Sequence, residues 1–146
     1  MRFKARTSSR SSTNSLGPPG EAEIIRLNPQ RRQMILARTG WPDLVEGTLN
    51  LEVDPSIVIE LGAREPYIRE QGESVVYPEK YKQIPKKRRA YLYFNAIVRY
   101  GGKAEKALIR TAEVPLKQRL EAFAPVKLRV ILGIHGEAEV DCEIVE

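Results

Sequence analysis

The segment "RAYLYFNAIVRYGGKAEKALIRTAEV" (89–114) limits the fold more than any other stretch of the chain. Its first half is dense in aromatic and β-branched residues, which fit a pleated surface better than a helix. Gly101-Gly102 then supplies two adjacent residues that accept positive φ, as the tightest hairpin turns demand. The pattern predicts a strand over 89–100 returning antiparallel over 106–114. Tyr91, Tyr93 and Ile97 fall on one face, and Leu92, Phe94, Ala96 and Val98 on the other. Such a strand is covered on both sides. Stacking of bases on its aromatics is the less economical reading.

Further strands are expected on either side of the hairpin. In "EAEVDCEIVE" (137–146), Ala138, Val140, Cys142 and Ile144 alternate with Glu139, Asp141 and Glu143, so an amphipathic strand with an acidic outer face is predicted. "AEIIRL" (22–27), "TLNLEV" (48–53) and "SIVIEL" (56–61) are strand-like, with an Asp54-Pro55 turn between the last two. "PQRRQMILARTG" (29–40) has Pro29 placed for a helix start and Gly40 for its stop, with Met34, Ile35 and Ala37 as the buried side. "PLKQRLEAFAPVKLRVILG" (115–133) is ambiguous, with helical spacing at Leu116, Leu120 and Phe123 broken by Pro125. Residues 62–89 are polar and punctuated by Gly and Pro, an excursion holding one strand near Ser74–Tyr77. Many short strands and few helices predict a small, mainly β barrel or sandwich.

One such domain fits the length of 146 residues, and 42% apolar residues suffice for a core. Residues 1–20, rich in Ser and Arg, are expected to be a disordered basic tail before a single domain over 21–146. The tail holds four of the 24 basic residues, leaving 20 against 19 acids in the body. "KYKQIPKKRR" (80–89) is the one strongly basic loop in that nearly neutral body. Tail and loop together allow, as the alternative to an enzyme, a non-catalytic barrel that binds a ligand, a partner or nucleic acid. The absence of a long apolar run argues against a membrane partner, and the single cysteine, Cys142, fits a reducing, cytoplasmic setting.

Familiar catalytic signatures are missing: the sequence holds no phosphate-loop or dinucleotide glycine pattern. His135, the one histidine, reads as a solvated turn residue, and Cys142 as packing. What remains is "EGTLNLEVD" (46–54), in which Thr48 and Asn50 share one strand face, and "EAFAPVKLR" (121–129). In this order, with the hairpin between, the two segments resemble the archaeal-type CTP-dependent riboflavin kinases. The resemblance covers roughly residues 22–146.

It implies a closed six-stranded cradle-loop β-barrel with one or two short helices, transferring the CTP γ-phosphate to riboflavin to give FMN and CDP. By the same resemblance, Thr48 and Asn50 hold Mg²⁺, whose coordination is completed by phosphates and water. Glu121 is the implied proton acceptor and a flavin contact, with Thr111 as a second flavin contact. Pro125, Val126, Lys127, Leu128 and Arg129 match the nucleotide-binding segment. The family's first strand is followed by a Gly-x-Gly-x-Gly segment. With "AEIIRL" taken as that strand, "NPQRRQM" stands there instead, which marks a divergent member lacking the glycine-rich loop.

Overall fold

The structure is a computed structural model and describes residues 1–8, 29–45, 49–71, 90–112 and 119–145. Its centre is the expected hairpin. Strands β4 (Tyr91–Tyr100) and β5 (Lys103–Ala112) pair without interruption from Tyr91↔Ala112 to Tyr100↔Lys103. Gly101 and Gly102 turn the chain at φ values of 58° and 79°, which side-chain-bearing residues adopt only at a cost.

The sheet continues from β5 through β6 (Arg119–Phe123), β2 (Leu49–Glu52), β1 (Arg2–Thr7) and β7 (Glu139–Ile144), then returns to β4. The β4–β7 pairing from Ala96↔Ile144 to Arg99↔Asp141 closes a six-stranded antiparallel barrel. A seventh strand, β3 (Ile68–Glu70), pairs with the other half of β4. Closure matters because it leaves the ring no unpaired strand edge.

Alternation fills the interior. Leu51, Val98, Ile109 and Leu120 are fully enclosed, packed with Phe3, Phe94, Val140 and Cys142. Each buried side chain of this size contributes about 1.5–3 kcal/mol. Helix α2 (Pro55–Gly62) adds Val58 and Leu61 to this core, and the short α3 (Leu128–Leu132) adds Leu128 and Leu132. Outside the wall, helix α1 (Pro29–Thr39) lays Ile35 against Tyr93, Leu108 and Phe123, forming a second small core with Leu44 and Ile68. β4 is therefore covered on both faces, as its two apolar parities predict. Met34 is partly buried in that layer, whereas Ala37 is exposed, so the buried side of α1 turns towards Arg31 and Ile35 instead.

Three elements differ from expectation. Arg2–Thr7, assigned from its composition to a disordered tail, is the first strand of the barrel. Only Phe3, Ala5 and Thr7 turn inward, so its own apolar signal is weak. Its support comes from the far end of the chain, where β7 pairs with it from Arg2↔Glu143 to Arg6↔Glu139. Arg2, Lys4 and Arg6 meet Glu143, Glu139 and Glu137 at 3.1, 3.2 and 3.6 Å. The positive stripe thus answers the acidic stripe of the last strand.

"SIVIEL", expected as a strand, lies within helix α2. Asp54 caps it by accepting from the Ser56 backbone N–H at 2.9 Å, and Pro55 opens the first turn. Arg119–Phe123 is a strand although its leucine and phenylalanine also suit a helix, because a β5 edge and a β2 edge await it on either side. The strands expected at 22–27 and 74–77, and the basic loop at 80–89, lie outside the described residues.

Candidate functional site

Pairing of β2 with β6 brings the two motifs together. Leu49 opposes Ala122, Asn50 opposes Glu121, and Leu51 opposes Leu120. The leucines and Ala122 belong to the interior, so Asn50 and Glu121 share a rung on the outer wall. They meet outside the barrel, not within its cavity. Thr48, the companion of Asn50 in the motif, lies outside the described residues.

The same rung extends over two more strands. Glu121 opposes Arg110 on β5, and Arg110 opposes Tyr93 on β4. Arg110 donates from Nη2 to Glu121 Oε2 at 2.9 Å, while Arg119 Nη2 stands 3.9 Å from Oε1. The Arg110 guanidinium lies over the Tyr91 ring at 4.3 Å and near that of Phe123 at 5.4 Å. Aromatic faces on the cation and a carboxylate at its fork fix its plane. Beyond Tyr91, Arg31 donates from Nε to Glu70 Oε2 at 2.9 Å, with Nη2 the same distance from Oε1. Tyr93 donates its hydroxyl proton to Glu70 at 3.2 Å. The outer wall therefore carries two linked acid–base pairs, one sealed under α1 and one, Glu121 with Arg110, reaching towards Asn50.

A pocket of about 240 Å³ opens on the opposite, interior face of this wall, and neither Asn50 nor Glu121 lines it. Its lining includes Leu49 and Ala122, the next rung of the ladder, together with Val126, Lys127, Leu128 and Arg129. The chain leaves β6 at Phe123 and passes half-buried Pro125 before α3 begins, which swings these residues over the barrel mouth. Gly133, at φ 72°, ends α3 in the left-handed conformation, and the Ile134 N–H reaches back to the Arg129 carbonyl at 2.8 Å. Arg129 donates to the Gly136 carbonyl at 2.9 Å, so its guanidinium is partly committed to the loop. Lys127 is exposed and makes no ion pair among the described residues.

Thr111 stands apart from this group: it opposes interior Leu92 and is buried within the barrel, on the opposite face of the wall from Glu121. His135 is exposed in a turn, as expected. Cys142 is enclosed, and burial, with the charge of neighbouring Asp141 adding to it, pushes its thiol up to about 12, so it is no nucleophile at neutral pH.

No cluster of three His, Cys, Asp or Glu side chains suited to a metal occurs among the described residues. Asn50 and Glu121 offer one neutral and one charged oxygen-bearing group on one rung. The Glu121 carboxylate is already paired with Arg110 and Arg119, so among the described residues the Asn50 carboxamide oxygen is the one uncommitted donor of this rung toward a hard cation such as Mg²⁺. Sequence reasoning missed Arg110 and Tyr91. The hairpin turn fixes Arg110 opposite Tyr93, so its outward face was readable, but its carboxylate partner required the β6 register.

No helix among the described residues is long and apolar enough to cross a membrane. No known family model matches the chain, and no curated protein matches it significantly.

Proposed function

We propose that the chain is a divergent CTP-dependent riboflavin kinase, and one observation carries this reading. The Asn50–Glu121 rung lies directly beside the Leu49–Ala122 rung that floors the pocket of Val126, Lys127, Leu128 and Arg129. Two segments far apart in sequence are thereby neighbours at one end of one barrel, with Asn50 and Glu121 on the outer face of the wall and the pocket floor on its inner face. Asn50, with Thr48, would hold Mg²⁺, which would offset charge on the nucleotide phosphates when bound. Residues 125–129 would hold CTP, with Lys127 offsetting phosphate charge.

In the reaction, the ribityl hydroxyl oxygen forms a bond to the γ-phosphorus while the bond from that phosphorus to the CDP oxygen breaks. Glu121 accepts the hydroxyl proton, and Arg110 holds the carboxylate in plane. With Arg2–Thr7 as first strand, the segment after it contains Gly17-Pro18-Pro19-Gly20, not "NPQRRQM". No Gly-x-Gly-x-Gly pattern follows β1 either, so the chain departs from the family there whichever segment is taken as first strand. The revised strand order weakens the nucleic-acid alternative, because three of the tail's cations face acids of β7 and the turn before it.

The test is to incubate the protein with riboflavin, CTP and Mg²⁺ and separate FMN by chromatography. FMN should form, and Glu121→Gln should lower its rate by roughly 10²–10⁴-fold, the range for loss of a positioned base. Asn50→Ala should raise the Mg²⁺ requirement. Absence of FMN with CTP and with every other nucleoside triphosphate would overturn the proposal.

A further inference from the structure

On the outer wall, away from the mouth pocket, two adjoining hollows of about 380 and 310 Å³ share Tyr67, Asn95 and Val145. They arise from the strand arrangement. β7 and β3 both use the same edge of β4, one beyond Asn95 and one before it. The Val145 N–H reaches the Asn95 carbonyl at 2.8 Å, and the Tyr67 N–H reaches the Tyr93 carbonyl at 2.8 Å. Between these two bonds the edge passes from one strand to the other, and a cleft forms.

Its walls are aromatic and its floor is not. Trp41 and Tyr67 line it, and the Tyr67 ring is anchored under the Arg38 guanidinium at 5.3 Å while the Arg38 Nη2 donates to the Tyr67 carbonyl at 2.9 Å. Asn95 interrupts the outward parity of Tyr91, Tyr93 and Ile97. Half-buried at the floor, its carboxamide has no hydrogen-bond partner among the described residues. Its amide atoms stay open to the cleft and are available to pair with a ligand. At the rim, the Lys106 ammonium is exposed and makes no ion pair among the described residues.

We propose that this cleft binds an adenine mononucleotide, at a site separate from the mouth pocket and independent of the kinase reading. Each element matches a part of that ligand. Aromatic walls take the flat base by stacking, at roughly 1–3 kcal/mol per base in known cases. The carboxamide offers a donor and an acceptor side by side, matching the amino group and ring nitrogen on one edge of adenine. Guanine presents two acceptors on that edge and cannot satisfy both halves of the amide. Lys106 suits the phosphate as a point charge. Each hollow also falls in the range of roughly 300–1,000 Å³ typical of small-molecule sites.

Trp41 is the only tryptophan, so its fluorescence reads the cleft directly and needs no catalytic activity. Titration with adenosine 5′-monophosphate should quench it saturably, and guanosine 5′-monophosphate should bind about tenfold more weakly or worse. Asn95→Ala should weaken binding by about tenfold, the loss expected for two hydrogen bonds of modest net strength, with the far-ultraviolet spectrum unchanged. Lys106→Ala should weaken the monophosphate and leave adenosine unaffected. Because Asn95 lies outside the proposed kinase centre, FMN formation by Asn95→Ala should match that of the unaltered protein. Absence of saturable quenching, equal affinity for the guanine nucleotide, or undiminished binding by Asn95→Ala would each overturn the assignment.

Discussion

Replacing Arg31 by Met tests whether the charge pair beneath α1 supports the barrel wall. The Arg31 and Glu70 side chains are only 1% and 6% exposed. Methionine roughly preserves the volume of the arginine stem but leaves the Glu70 carboxylate with one described neutral donor, the Tyr93 hydroxyl at 3.2 Å. Removing one member of a buried ion pair costs about 3–5 kcal/mol, because the survivor stays desolvated without its counter-charge. For a chain of this size each kcal/mol lowers Tm by about 2–4 °C, so a fall of roughly 6–20 °C is expected. Urea denaturation should show a lower midpoint with an unchanged slope. Adding Glu70→Gln removes the stranded charge and keeps an acceptor for Tyr93, so the double variant should be more stable than Arg31→Met alone. A single-variant cost of about 1 kcal/mol or less, the value of an exposed pair, would refute the reasoning. A double variant no more stable than the single one would refute it too.

Two further predictions concern the ends of the molecule. Gly133 has nothing within 4 Å of an added Cβ, so Gly133→Ala introduces backbone strain without a clash. It should cost about 1–2 kcal/mol in urea denaturation and loosen the turn that holds Arg129 at the mouth pocket. The Cys142 thiol is raised from 9.0 to about 12 by burial, so the native state holds this proton more tightly than the unfolded chain. Its contribution is fully present below the unfolded value and is lost as pH rises through that of the native state. The urea midpoint of the unaltered protein should therefore fall as pH rises above about 9, towards about 12, more steeply than that of Cys142→Ala. Equal slopes would show that the thiol is not enclosed.

The parts of this fold that were legible are those whose signal is local. A glycine pair fixed the β4–β5 turn, and strict alternation fixed β7, because both depend on neighbours in sequence. β1 was not legible. Phe3 and Ala5 are a thin apolar signal, and the acids that neutralise Arg2, Lys4 and Arg6 come from the opposite end of the chain. Asp54-Pro55 was a helix start read as a turn, since an aspartate cap and a first-turn proline also suit a bend. At the site, Asn50 meets Glu121 on one rung, but on the outer wall and not around a barrel cavity. The Arg110 clamp, the outward direction of the pair and the inward direction of Thr111 depend on strand register, which no single segment encodes.

The pairing of β1 with β7 also dictates when this molecule can assemble. Arg2 and Glu143 bond across a separation of 141 residues, and the Ile144 N–H closes on the Met1 carbonyl at 2.8 Å. Hairpin β4–β5 can form within a few residues of chain, but the ring stays open until the last strand emerges from the ribosome. Contacts this distant are slow to form, since much of the polymer's freedom is surrendered before they repay it. During synthesis the opening strand therefore waits with one edge bare. Its alternate arginines and lysine serve there as guards, keeping it from pairing with neighbouring copies until its acidic mate arrives.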